Sequence, residues 1–431
     1  MTDHEEQLDD FFSTARVTGR EEAVELAGTD YREHLYALDD PTLAPWRGMA
    51  YQEFSDARRD DRFLQELLDD WNALLAEPFV GITADGSVVP DVYRLPAQRS
   101  DDPDIDRAAE RALAALSPEQ REAASHDLDA QQWRAWSNPE FVFHRVGVRL
   151  EDLTEDQVEA ILGVLEASLS PEGFERVREA MALNGFLGEL TALPTILNDR
   201  SYWFSVYGEP GSDAWGWQLF GHHVAVHFVT VAGRHVIAPV FIGAEPALSE
   251  GARPPIFAER EEAALRLAGS LTESQRKMAI VFNSVLDPAM PEGRLHPADE
   301  RHVAGAFRDN RVVPYEGVSA RDLIDEQWSL VLEIVEDFLL LLRPQQRALT
   351  MADVEAQRDE TWFSWYGATD GTQPFYCRIQ SPAILAELDH HAGVWLSNRL
   401  PQRFHVHSTL RLPNGNDYAR AYIRQIRQEN R

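Results

Sequence analysis

Three short motifs occur twice in this chain, in the same order, so its fold has to accommodate two copies of one unit. Leu116-Ser117-Pro118-Glu119-Gln120-Arg121 returns as Leu271-Thr272-Glu273-Ser274-Gln275-Arg276. Gly147-Val148, Asp152-Leu153 and Gln157 return at the same spacing as Gly317-Val318, Asp322-Leu323 and Gln327. Trp203-Phe204-Ser205-Val206-Tyr207-Gly208 returns as Trp362-Phe363-Ser364-Trp365-Tyr366-Gly367. The pattern reads as a tandem duplication of one α+β unit, packed about a pseudo-two-fold axis with a cleft that both copies can line.

Residues 1–105 lie outside the repeats and read as a helical preface packed on them. Within it, Glu5 to Ala27 and Asp56 to Leu75 have amphipathic helical patterns, and Pro78 to Gly86 predicts a short strand and an Asp-Gly turn. Ser100-Asp101-Asp102-Pro103-Asp104 is a polar break. Residues 106–250 form the first repeat and 255–431 the second, joined near Pro254-Pro255 and ending in a C-terminal helix. Ser117 and Thr272 are helix N-cap residues, and Thr154 to Leu169 and Asp322 to Leu342 are apolar helices. Strands are predicted near 202–208, 215–220, 223–231 and 235–243, then near 361–367, 374–380, 383–389 and 404–411. Helices grouped ahead of strands predict antiparallel α+β layers.

The formal charge of −32 argues against nucleic acid and anionic membrane surfaces, which require a basic face. The lone Cys377 excludes an internal disulfide and a cysteine zinc cluster, and its place in a predicted strand points to inert packing. The acidic stretch from Met1 to Arg16 has no apolar core of a signal peptide, and the apolar run Trp328 to Leu342 is too short to span a bilayer. A cytoplasmic protein is the expectation; the oligomeric state is left open.

Eight of the 14 histidines lie in the two β sections. His405 and His407 are one residue apart on a predicted strand, so both rings leave the same face and can reach one metal ion. Glu387 and Asp389 share a face of the preceding strand, as a ligand or a catalytic base, or as solvated acids on an outer face. In the first repeat, Gly221-His222-His223 opens a strand and His227 shares a face with His223. Ala238 and Val240 stand where the second repeat has His405 and His407. Imidazoles and a carboxylate suit zinc or iron. Trp215 and Trp217 are candidate pocket walls beside His227, and Arg411 is a candidate clamp for an acidic substrate; core packing and a structural ion pair are the plainer alternatives. His235 follows a predicted turn and is expected to be exposed, and Asn416-Asp417-Tyr418 is expected to cap a helix. There is no serine-hydrolase elbow, zincin helix, phosphate-binding loop or dinucleotide-binding glycine turn.

Several of these motifs resemble the family catalogued as domain of unknown function 3500. They are Pro78-Phe79-x-Gly81-Ile82-Thr83-x-Asp85-Gly86, Trp133-Arg134-x-Trp136-x-Asn138, Gly216-Trp217-x3-Gly221-His222-His223, Ala244-Glu245-Pro246, Asp389-His390 and His405-x-His407-x3-Arg411. The resemblance runs from about residue 40 to the C-terminus and implies that a family-wide site sits at His222, His223, His405 and His407. Leu388 departs from the pattern, which leads one to expect an aromatic there. Together the residues predict a metal-dependent enzyme acting on a small organic molecule, with zinc-type hydrolysis first and non-haem iron oxygenation as its rival. A non-catalytic small-molecule or metal-binding protein, and a structural role for the histidines, are the competing expectations.

Overall fold

The computed structural model describes residues 28–95, 102–250 and 254–429. It is a mixed α+β structure in which eleven α-helices accompany one 12-stranded sheet. In the first half of the chain the strands are β1 (Ser125–His126), β2 (Val148–Arg149), β3 (Tyr202–Tyr207), β4 (Ala214–Gly221), β5 (Val224–Val231) and β6 (Arg234–Ala244). In the second half they are β7 (Ile280–Phe282), β8 (Val318–Ser319), β9 (Trp362–Tyr366), β10 (Tyr376–Gln380), β11 (Leu385–His390) and β12 (Val406–Arg411). Their order is β1-β3-β4-β5-β6-β12-β11-β10-β9-β7, with β2 added to β3 and β8 to β9.

Two features depart from the sequence-based expectation. The sheet is mixed rather than antiparallel, because β1 runs parallel to β3 and β7 parallel to β9. Each of those pairs is separated in the chain by helices, which supply the long crossover that a parallel pair needs. The two β sections also lie side by side in one sheet: β6 pairs antiparallel with β12, from Val406 opposite Ala244 to Leu410 opposite Val240.

Strand alternation gives the sheet two unlike faces. One carries Phe204, Trp215, Trp217, Leu219, Phe228, Ile242, Trp365, Ile379, Leu388 and Leu410, and packs on helices. Those helices are α3 (Pro103–Ala115), α5 (Glu155–Ser168), α7 (Ala258–Ser270) and α9 (Asp325–Phe338). They turn the stripes Ile105-Ala108-Ala109-Ala112, Val158-Ile161-Leu165, Ala264-Leu267-Ala268 and Val331-Ile334-Val335 inward, at the spacing of one helical face. The opposite face carries Ser205, Gln218, His227, His407, Thr409, Arg411, Glu387 and Asp389, all buried. Beside it, a second core joins sheet residues Phe220, Val229 and Phe241 to Phe54, Leu64, Leu67 and Trp71. The latter come from α1 (Tyr51–Arg59) and α2 (Arg62–Ala76), which replace the single helix expected over 56–75.

The repeated motifs do the same work in both halves. Ser117 caps α4 (Pro118–Ala124) and Thr272 caps α8 (Glu273–Ala279), each in a box with the glutamine three residues on. Gln120 and Gln275 then meet Gln157 and Gln327, each pair at 2.9 Å. Gly147 and Gly317 both have φ of +94°, and a Cβ on either would lie 2.0 Å from the carbonyl oxygen of Phe204 or Phe363. Elsewhere the pattern misled. The segment Pro78–Gly86 forms no strand: it has one isolated bridge, Thr83 to Val312, and Ile82 is buried against Val303, Ala304, Val313 and Leu385. The helix expected over Glu5 to Ala27 lies outside the described residues. Among those residues no helix is long and apolar enough to cross a membrane.

His235, expected to be exposed, is buried with its ring 5.2 Å from that of Phe228. Burial lowers its pKa to about 4. An unfolded chain takes up this proton near pH 6.5, whereas the folded protein resists it until about 4. The neutral ring therefore contributes stability above pH 6.5 that is lost as pH falls towards 4. Compared with wild type, His235→Gln should flatten that loss by up to ~1.4 kcal/mol per pH unit in urea titrations. An unchanged slope would show that the ring does not titrate this way.

Candidate metal centre

The site is built where β4 turns into β5. Gly221 and Val224 are paired, so His222 and His223 make a two-residue turn rather than the opening of a strand. His223 has φ of +63°, a left-handed conformation that costs a non-glycine residue on the order of 1–2 kcal/mol. An imidazole is thus kept at a position where glycine would be easier. Its backbone is pinned: the His223 N–H donates to Asn138 Oδ1 at 2.9 Å, and Gly243 N–H donates to the His223 carbonyl at 2.8 Å. The His222 ring stacks on His223 at 3.8 Å, and its Nδ1 meets Asn184 Oδ1 at 2.8 Å.

From the other half come His405, just before β12, and His407, within it. Their Nε2 atoms are 3.0 Å apart. His407 sits opposite Gly243 of β6, and the absence of a side chain there is what lets the rings close on one another. A Cβ on Gly243 would lie 2.6 Å from His407 Cδ2 and 2.9 Å from His223 Cδ2. The ring contacts of His223 with His405 and His407 are 5.5 and 5.1 Å.

One ring nitrogen from each of His223, His405 and His407 falls within 4.8 Å of the others, and all three residues are buried. Two nitrogens on a tetrahedral zinc with bonds of about 2.0–2.1 Å stand roughly 3.3–3.4 Å apart, close to the spacing of the His405–His407 pair. His405 Nδ1–H donates to the Ala392 carbonyl at 2.6 Å, which leaves Nε2 with its lone pair facing the cluster. Burial, then the neighbouring imidazoles, hold His223 and His407 well below the usual histidine range. Burial lowers His405 to about 4 and His222 to about 3. Neutral imidazole is the form that binds a metal. The group can hold a divalent ion.

A second donor group adjoins it. His302, Asp389 and His391 also bring one donor atom each within 4.8 Å. The rings of His391 and His407 are 3.9 Å apart. Asp389 and Glu387, considered above as solvated acids on an outer face, are fully buried. Arg301 Nε donates to Asp389 Oδ1 at 2.7 Å, while Asp389 Oδ2 lies 3.1 Å from His391 Nε2. Glu387 accepts from the backbone N–H groups of Val303 and Ala304 at 2.9 and 3.0 Å and from the Tyr376 hydroxyl at 2.6 Å. Burial alone would raise Glu387, but His302, then Arg378 and Tyr376, outweigh it and hold the carboxyl down at about 2.

The first cluster lines a cavity of about 70 Å³ together with Asn138, Glu140, Glu300 and His391. Phe63, Leu64, Leu67, Phe141 and Val394 form its apolar wall, and among the described residues neither lysine nor arginine lines it. Burial raises Glu140 to about 7.

Other expected site residues lie elsewhere. Arg411 is fully buried and bonded to Asp417, Asp309 and the carbonyls of Ala304 and Gly305, leaving it no reach towards a ligand. Asp417 likewise serves that ion pair and the Leu412 N–H, and Asn416 gives no side-chain cap. Trp215 and Trp217 face the helices, donating to Asp106 and Ser168, so they are core. His227 shares the polar face but is spent on the Pro239 carbonyl at 2.7 Å, against Trp136 and Tyr418. Val240 faces the helical core, so it does not occupy the place that His407 has in its own half. Leu388 faces the same core, and an aromatic there would point away from the cavity. Sequence reading missed Glu140, Glu300 and His302, which come from stretches without regular periodicity. His391 directly follows β11.

Gly243→Ala is the most economical test of the assembly. The added methyl group must push His223 and His407 apart, so zinc affinity should fall at least tenfold in a competition titration with a chelating dye. The mutant should still unfold cooperatively, because the apolar core on the helical face is untouched. Unchanged affinity would mean that the two rings do not act together.

Comparison with known proteins is brief. No curated protein and no solved structure matches the chain. The family model described as "Protein of unknown function (DUF3500)" matches residues 98–420, which takes in both donor groups but leaves out Pro78–Gly86 and the α2 residues at the cavity wall. With about three quarters of its length matched, the chain belongs to that family.

Proposed function

We propose that the chain is a metal-dependent enzyme acting on a small organic molecule, with His223, His405 and His407 as ligands and hydrolysis as its reaction. The observation that carries this reading is the convergence of three buried, neutral imidazoles on the wall of a cavity. Three histidines with an open position are a catalytic zinc arrangement rather than a closed structural one. A bound zinc ion supplies Lewis acidity and makes water a nucleophile near neutral pH. The chain itself supplies the rest. Asp389 and Glu387, the bases expected from sequence, are occupied by Arg301 and by backbone N–H groups, which favours Glu140 for proton transfer. With its pKa near 7, Glu140 can take the proton that water gives up and return it to the departing group. The apolar wall suits a carbon skeleton, and the lack of a basic lining residue favours a neutral substrate over the acidic one that Arg411 suggested.

A tandem duplication, 106–250 with 255–420, accounts for the matched motifs and for a strand order that mirrors itself about the β6–β12 pair. The centre then straddles the seam, with His223 from one copy and His405 and His407 from the other. An experimental structure in which 202–243 and 361–411 do not superpose would end that reading.

A second reading, a non-haem iron oxygenase, is favoured by His302, Asp389 and His391, since two histidines and one carboxylate form an iron face. Elemental analysis of tag-free protein separates the readings: zinc supports hydrolysis, and iron with oxygen consumption replaces it. Protein without stoichiometric metal would leave a non-catalytic binding role. His405→Ala combined with His407→Ala should remove the ion held by this cluster, at least one per chain, while the circular dichroism of the fold is retained. Glu140→Gln should keep the metal and lower turnover on any ester or amide substrate by about 10²–10⁴-fold. If the double mutant keeps full metal content, the centre is misplaced.

A further inference from the structure

We infer that His302, Asp389 and His391 form a second metal site beside the first, so that the protein holds a two-ion centre; this rests on the reading of His223, His405 and His407 as metal ligands. Three observations point the same way. First, His302 Nε2 is buried and lacks a hydrogen-bond partner, and His391 Nε2 makes no hydrogen bond and has only the Asp389 carboxylate of the same donor group, at 3.1 Å. A buried polar atom left without a partner costs about 1–3 kcal/mol and needs an explanation. Secondly, His302 is already oriented as a ligand would be. Its Nδ1 faces Thr409 Oγ1 at 2.9 Å and the Glu387 carboxylate at 3.5 Å, and Glu387 is itself fixed by two backbone N–H groups and Tyr376. A carboxylate behind one imidazole nitrogen leaves the other for a metal, the arrangement that second-shell carboxylates impose on ligand histidines.

Thirdly, the charges are short of a cation. The carboxylates of Asp389, Glu300 and Glu387 meet there, and Arg301 is bonded to Asp389 and Glu300. A second guanidinium, Arg378, acts on Glu387 but is itself paired with Glu316, so carboxylates still outnumber guanidiniums there and a divalent ion would offset the excess. Arg301 does not block the donor group: its Nε takes Asp389 Oδ1, and its backbone N–H, at 3.3 Å, takes one lone pair of Oδ2 while that oxygen still faces His391. The two donor sets meet at the tilted rings of His391 and His407, 3.9 Å apart. Adjacent ions can clamp both the attacking and the departing atoms of one substrate, and His391 lines the cavity where that substrate would lie.

The test is metal stoichiometry. Full-length, tag-free protein is stripped with a chelator, dialysed against zinc and assayed by mass spectrometry. Wild type should bind two ions per chain, and His302→Ala should bind one with its fold intact. One ion in wild type overturns the second site and leaves the first standing; none overturns both; two in His302→Ala overturns the ligand assignment. If His302→Ala does not fold, wild type loaded with manganese(II) decides by electron paramagnetic resonance. A spin-coupled signal at saturation supports adjacent ions, and the hyperfine pattern of isolated ions overturns them.

Discussion

The pairing of β6 with β12 is the interaction on which the rest of this structure depends. Five residue pairs, Val240–Ala244 against Val406–Leu410, join the halves of the chain into one sheet. The same register sets His407 opposite Gly243 and brings the β4–β5 turn within reach of it. Because side chains alternate along a strand, a slip of one residue would send His405 and His407 into the helical core. The alternate residues guard against this: Val406 and Leu410 point into a continuous hydrophobic layer on the helical face. The geometry of the histidine cluster and the core packing are therefore specified by one register.

The polar face carries an unusual load. Charged groups buried without partners cost several kcal/mol each, so such a face survives only if nearly every group is paired. Arg411 joins Asp417 and Asp309, Asp309 also receives Arg134 at 2.6 Å, and Arg301 joins Asp389 and Glu300. Glu245 accepts the N–H groups of residues 394–396 and thereby fixes the loop whose Ala392 carbonyl orients His405. These networks hold the segments at 299–309 and 391–398 against the sheet. Both segments border the donor groups. Rigidity is what a preformed metal centre needs, since loosely held ligands would have to be ordered at each binding event.

Much of the frame was legible in the sequence. The predicted strands near 202–208 and 361–367 match β3 and β9, and the capping residues Ser117 and Thr272 cap the helices they precede. These features depend on short-range chemistry: period-two alternation, N-cap hydrogen bonds and glycines at positive φ. His405 and His407 were legible for the same reason, being neighbours on one face. The histidine turn was misread as a strand start, because its left-handed residue is not glycine. Arg411, Trp215 and Trp217 were misassigned because residue type alone does not tell a ligand clamp or pocket wall from a core ion pair or a packed indole.

The sequence by itself determined most of the helices and the central strands, their order, and which histidines could leave a strand together, since each follows from bonds and sterics within a few residues. Tertiary structure decided which of them meet. The partners of the His405–His407 pair come from residues nearly two hundred positions away at His223, and from His302 and Glu140 in segments with no periodic signal. Their convergence was fixed only when β6 and β12 paired and the loops folded down onto the polar face. Long-range contacts of that kind are chosen by burial and charge neutralisation over the whole molecule, and no local pattern encodes them.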